Sequence, residues 1–130
     1  MSNFVVDVAK IPDGTAAAVA NRFCSFGSDN NHIDLTPAAN GSLVMGVVMD
    51  ALDATKVVEG ATVAVRVLGI APVTLGTGGA VPGDRVVTAP DGKAILGTTA
   101  ANFVGGVAMQ TGAAGTIIDV LLTPATKWVS

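Results

Sequence analysis

The sequence contains no tyrosine, one tryptophan, one histidine and one cysteine among 130 residues, and only 13% of its residues are charged. Each shortage closes off a class of function. A lone cysteine, Cys24, makes no intrachain disulfide, which suits folding in a reducing compartment. His32 stands alone, with Asp34 and Cys24 nearby in sequence, and falls short of the three or four ligands that a zinc site takes; it reads as a surface-loop residue. Basic residues occur singly, at Lys10, Arg22, Lys56, Arg66, Arg85, Lys93 and Lys127, whereas binding to nucleic acid needs clustered cations. A membrane-spanning helix needs about 20 apolar residues. The apolar stretch 43–49 is short, and 61–73 is interrupted by Arg66 and Gly69. Asp7 and Asp13 near the start replace the basic region and apolar core of a signal peptide, so none is expected.

What is abundant is small and apolar. Half of the residues are hydrophobic, supplied by Ala, Val, Leu and Ile, and the mean hydropathy is +0.61. Such side chains suit close sheet packing more than a large ligand pocket. The net charge is −3 with an isoelectric point near 4.7. So few charges do not coat the surface of a solitary domain, and with no spanning segment the expectation is burial of that surface in an assembly. The length fits one domain with a modest core.

Residues 1–42 hold most of the polar Asn, Asp and Ser residues with weak periodicity, and read as an N-terminal arm or irregular lobe. Within it, 4–8 suits a short strand, 11–14 and 27–31 suit turns, and 16–23 suits either a short helix or an extended segment. From 43 onward, Val-rich runs alternate with Gly, Pro and Asp, the pattern of short strands joined by tight turns. Strands are predicted near 43–49, 61–68, 70–75, 84–89, 93–97, 103–109 and 116–122. In the second of these, Val63, Val65 and Val67 share one face. The first and last are apolar on both faces, which predicts cover on both sides. Pro124 is expected to end the last strand, leaving 125–130 as a tail beyond a 43–124 barrel-like domain. The class expected is therefore mainly β: a small single-domain β-barrel or β-sandwich-like fold with at most one short helix and an extended N-terminal arm.

The chain also echoes itself. Val44-x-Gly46-Val47-x-Met49 followed by Gly60-x-x-Val63-x-Val65-x-Val67 matches Val104-x-Gly106-Val107-x-Met109 followed by Gly115-x-x-Ile118-x-Val120-x-Leu122, with a linker five residues longer in the first copy. Chance likeness among Val- and Gly-rich segments competes with a second reading, two related hairpins closing one pseudo-symmetric barrel. Between the copies, Val81-Pro82-Gly83-Asp84-Arg85-Val86-Val87 suits a turn feeding a strand, and Pro90-Asp91-Gly92-Lys93 suits a hairpin turn.

The order Gly46-Val47-Val48, Val58 to Val65, Gly69-Ile70-Ala71-Pro72-Val73, Pro82 to Val87, Asp91-Gly92-Lys93-Ala94, Val104 to Met109 and Gly115 to Pro124 resembles the tailed-bacteriophage capsid cement (head decoration) proteins. The resemblance covers 43–124 and rests on order and spacing. It implies a β-barrel-like structural protein on the outer surface of the virion capsid, assembled in the host cytoplasm, bound to the major capsid protein as a homo-oligomer, with a trimer the expected form. Neither a nucleic acid, a membrane nor a small-molecule substrate is an expected partner, and no cofactor is expected. The alternatives are another virion component, such as a head fibre base or a tail protein, and a ligand-binding barrel domain of an enzyme, suggested by the Pro82-Gly83-Asp84 turn.

Chemistry-bearing patterns are thin. The Gly-rich 76–79 segment lacks the Gly-Lys-Ser/Thr ending and the following helix of a phosphate loop, and reads as a turn. Asp50, Asp53 and Glu59 offer carboxylates with no sign of convergence. No nucleophile elbow is present, and no catalysis is expected. The candidate interface residues are Phe4, Phe26 and Trp128. Packing within the chain competes with docking on a neighbour for all three. Met45, Met49 and Met109 read as adaptable core fillers.

Overall fold

The structure is a computed structural model that describes residues 5–37, 39–97 and 103–127, with the backbone alone for 124–127. Among the described residues, ten strands and one short helix follow one another as β1 (Val6–Pro12), β2 (Arg22–Phe26), β3 (His32–Asp34), β4 (Gly46–Val48), α1 (Ala54–Val58), β5 (Val63–Leu68), β6 (Ile70–Thr74), β7 (Arg85–Thr88), β8 (Ala94–Leu96), β9 (Phe103–Ala108) and β10 (Ile117–Lys127). The class is mainly β, as expected, and all seven strands predicted after residue 42 are present. Residues 6–34, within the expected arm, supply β1, β2 and β3. Weak periodicity hid these strands because they are short and interrupted by polar turns. Ala18, in the stretch left open between helix and extended chain, is extended and bridges to Leu52.

The first five strands form a closed barrel in the order β1-β3-β2-β4-β5, with β5 returning to β1. The last five form a second sheet in the order β6-β10-β9-β7-β8, and a parallel bridge between Leu75 and Ala94 brings β8 back to β6. Only Gly69 separates β5 from β6; its φ of 101° reverses the chain in a region that disfavours side chains. The two echoing hairpins do not close one barrel. β4–β5 lies in the first unit and β9–β10 in the second, because each unit has five strands of its own with which to satisfy its edges.

The echo extends through the whole molecule. Taking the strands in order, the pairs Val8–Val65, Pro12–Ile33, Phe23–Val47, Phe26–Ile33 and Val47–Arg66 correspond to Ala71–Val120, Leu75–Ala94, Arg85–Val107, Thr88–Ala94 and Val107–Leu121. Irregular parts follow suit. The bridge Ala18–Leu52 matches Ala80–Gly112. Asn21, at φ 65° and donating to the Val48 carbonyl, matches Gly83, at φ 92° and donating to the Ala108 carbonyl. The Ala64 amide donates to the Asp50 carboxylate as the Asp119 amide donates to the Gln110 side-chain carbonyl. Asp29 accepts from the Asn31 amide and Asp91 from the Lys93 amide, two equivalent turns. The longer first linker holds α1, capped by Asp53, which accepts from the Lys56 amide at 2.9 Å.

Each unit has its own interior. Ala18, Cys24, Ile33, Val48, Val63 and Val65 fill the first. Ala71, Val73, Leu75, Val86, Ala94, Ala108, Ile118, Val120 and Leu122 fill the second. Phe23, Val44 and Val47, although from the first unit, join the second cluster and so cement the two together.

Pro124 does not end β10. The strand runs to Lys127, with a register shift between Leu122 and Thr126, and a proline that offers no amide to the ladder sits in that irregularity.

Candidate assembly surface

The junction between the units is a packed contact within one chain. Phe23 points outward from the first barrel and is 1% exposed, its ring lying over Gly105 of β9. A Cβ at Gly105 would come within 2.6 Å of the ring, so only glycine admits it. Backbone bonds lock the seam: Phe23 N–H to the Gly92 carbonyl at 2.8 Å, Thr74 N–H to Asn21 at 2.8 Å, Gly41 N–H to Thr88 at 2.8 Å and Phe103 N–H to Gly41 at 2.8 Å. Arg22 adds a guanidinium bond to the Asp91 carbonyl at 3.2 Å, and Arg66 one to the Ile70 carbonyl at 3.1 Å. Arg66 also meets Asp7 through two nitrogens, at 2.8 and 3.2 Å, and the guanidinium holds the Asp7 carboxyl below its ordinary range.

Residues Phe23, Val47, Arg66 and Asp7 thus line the outward face of the first unit, against or beside the second. Their counterparts on the second unit are Arg85, Val107, Leu121 and Ile70. That face is open. Leu121 is 45% exposed, Ile117 54% and Met109 45%, with Ile70, Pro72 and Val107 half-buried beside them. A sheet face of this kind, largely apolar apart from Arg85 and Asp119, is a candidate interaction surface.

The last predicted strand was expected to be covered on both sides, and it is not. Ile118, Val120 and Leu122 point inward, while Ile117, Asp119 and Leu121 face solvent. Asp119, a charge midway along that outer row, was the available signal, and the apolar run around it masked it. Met109, expected in the core, lies exposed, whereas Met45 and Met49 pack against the two interiors.

Of the three candidate interface residues, Phe26 ends β2 with half of its surface exposed, 51%, and so does not serve as core. Phe4 and Trp128 lie outside the described residues. Phe26 sits on the first unit, beside the β2–β3 turn.

The reactive groups have structural partners. Asp50 holds the Ala64 amide, Asp53 caps α1 and Glu59 pairs with Lys56 at 3.5 Å. Among the described residues no three His, Cys, Asp or Glu side chains converge as a metal site would require. Burial pushes the Cys24 thiol up to about 12, far from a reactive thiolate. His32 bonds Asp29 through Nδ1 at 2.6 Å; that bond raises the imidazole pKa and lowers the carboxyl's, both groups being open to solvent. Residues 76–79 form the turn after β6, with Gly78 and Gly79 at φ 94° and 64°. Two clefts, of about 190 and 210 Å³, are smaller than the roughly 300–1,000 Å³ of ordinary ligand sites.

Taken together, the chain has the fold of a tandem pair of five-stranded β units, and this architecture occurs in a known virion component. The solved structure of the N base of head fibre gp8.5 of bacteriophage phi29 superposes with a TM-score of 0.68 at 19% identity, covering 98% of this chain and 100% of that one. No protein-family profile and no curated protein sequence matches the chain.

Proposed function

We propose that this protein is a structural component of a bacteriophage virion, the base of a head fibre or a similar head-bound projection, acting through protein contacts and not through catalysis. One observation carries the reading: the fold coincides with that of a head fibre base along essentially the full length of both chains. The chemistry agrees with it. The sequence is poor in charge, one sheet face is largely apolar and open, and Asp50, Asp53 and Glu59 hold a backbone amide, a helix cap and an ion pair.

The partners are the major capsid protein and further copies of this chain, with a homotrimer the expected form. A base held at several points gains effective concentration at each, so individually modest contacts give lasting attachment. If such contacts favour the assembled shell over free capsomers, the head is stabilised by mass action. That second reading, a capsid cement protein, is favoured by the resemblance across 43–124; the full-length likeness to a fibre base supports the first reading better.

The test is co-sedimentation of the purified protein with phage heads lacking it, followed by electron microscopy of the decorated particles. Density at discrete vertices or facets, carrying a projection, is the expected result. Protein that remains in the supernatant at every concentration rejects both readings, and raised thermal rupture of evenly coated heads favours cement over fibre base.

A further inference from the structure

The internal repeat states what covers the open face. In the first unit, the outward row Phe23, Val47 and Arg66 is met by the β7–β8 turn and the start of β9 from the second unit: Gly92 accepts from the Phe23 amide, Asp91 accepts from Arg22 and Gly105 lies under the Phe23 ring. At the equivalent row of the second unit, Arg85, Val107 and Leu121, Val107 is half-buried, and Leu121, with Ile117 and Met109 beside it, is exposed. Conversely, the second unit's docking edge has a counterpart on the first. The β2–β3 turn matches the β7–β8 turn, Phe26 matches Thr88, whose carbonyl takes part in the seam, and the segment before β4 matches the start of β9. On that edge Phe26 is 51% exposed, Leu43 is 37% exposed, and the turn residues Asp29 to Asn31 are exposed.

We propose that the outer β10–β9 face of the second unit is a self-association surface that receives the Phe26 edge of the first unit of another copy, repeating between chains the contact made within one. The two surfaces differ, so the contact is heterologous, and successive chains run head to tail; closure of such a contact yields a ring. An aromatic side chain seated on an apolar sheet row is the kind of anchor that dominates interface energies. This deepens the assembly reading above by naming the partner as a second copy and giving both halves of the contact.

The full chain tests it by sedimentation velocity and light scattering. Wild type is expected as a finite oligomer. Leu121→Lys and Phe26→Glu are each expected to weaken association at least tenfold and sediment as folded monomers, with unchanged circular dichroism. Val58→Lys, on the exposed side of α1, is expected to keep the wild-type mass. Mixing the two monomeric variants is the decisive arm, because each retains one intact half: a head-to-tail contact gives a species of twice the monomer mass. A monomeric wild type, face variants that keep the wild-type mass, or a mixture that stays monomeric would each overturn the proposal. Binding to heads is scored separately. Wild type that binds heads while Leu121→Lys keeps its oligomer sinks the surface assignment alone, whereas a ring that forms through this face and ignores heads sinks the virion reading alone.

Discussion

The outward row of the first unit and that of the second hold the same places in the same strand register, yet one is sealed and the other open. Phe23 and Val47 are buried under the neighbouring unit, while Val107 and Leu121, two of the matching residues, are half-buried and exposed. The interiors differ much less: Cys24, Val48 and Val65 correspond to Val86, Ala108 and Val120, all small and all buried. Interior positions keep their character because each unit must fill a narrow volume at close-packed density. Outer positions are released from that demand and take whatever their own neighbour requires. The Arg66–Asp7 ion pair in the first unit becomes Leu121–Ile70 in the second, a polar pair exchanged for an apolar one at identical register.

Four measurements press on this comparison. The largest effect is expected at the seam: Phe23→Ala should cost about 3–5 kcal/mol in urea unfolding, because it empties a fully buried aromatic site. At the exposed face, Leu121→Ala should cost under about 1 kcal/mol when measured on the monomer. Equal losses at both places would mean that the second face is not open. Next, Gly46 and Gly106 occupy equivalent positions where a Cβ would fall 2.2 Å from the Arg66 carbonyl oxygen and 2.5 Å from that of Leu121. Gly46→Ala and Gly106→Ala should each destabilise by about 1–3 kcal/mol, and a loss at only one of them would break the repeat.

A smaller effect comes from the ion pair. Arg66→Leu, which installs the second unit's residue in the first, should cost about 0.2–1 kcal/mol, since both partners keep contact with solvent. Smallest is the pH response of the β2–β3 turn. The Asp29 hydrogen bond raises the folded-state pKa of His32, so its contribution is complete below the unfolded value of about 6.5 and is lost as pH climbs through the raised folded value. Asp29, lowered by the same bond, contributes above its ordinary range and loses that contribution as acid passes through the depressed value. His32→Gln should flatten the first limb in thermal melts between pH 6 and 8. A stability profile unaltered by the substitution would remove His32 from the account.

Much of the β content was legible because local rules suffice for it. Val63, Val65 and Val67 alternate, the Asp91-Gly92 turn announces its hairpin, and the Val-x-Gly-Val-x-Met echo marks two hairpins that do share one register. The strands inside 6–34 were less so, since β2 and β3 span five and three residues and draw their stability from partners distant in the chain. The open face was hidden for a different reason. Ile117 and Leu121 look like core residues in one dimension, and Phe26 gives no sign of whether it faces inward.

By itself, the sequence determined the mainly β class, the positions of seven strands and the scarcity of charge. These follow from backbone preferences and composition, which act over a few residues. Only the tertiary structure decided that there are two five-stranded units, a closed barrel and a second sheet, instead of one barrel, that Phe23 is sealed, and that the row equivalent to it stands open. Those outcomes depend on which strands meet across dozens of residues, and burial of a side chain is a property of its neighbours, which no local pattern specifies.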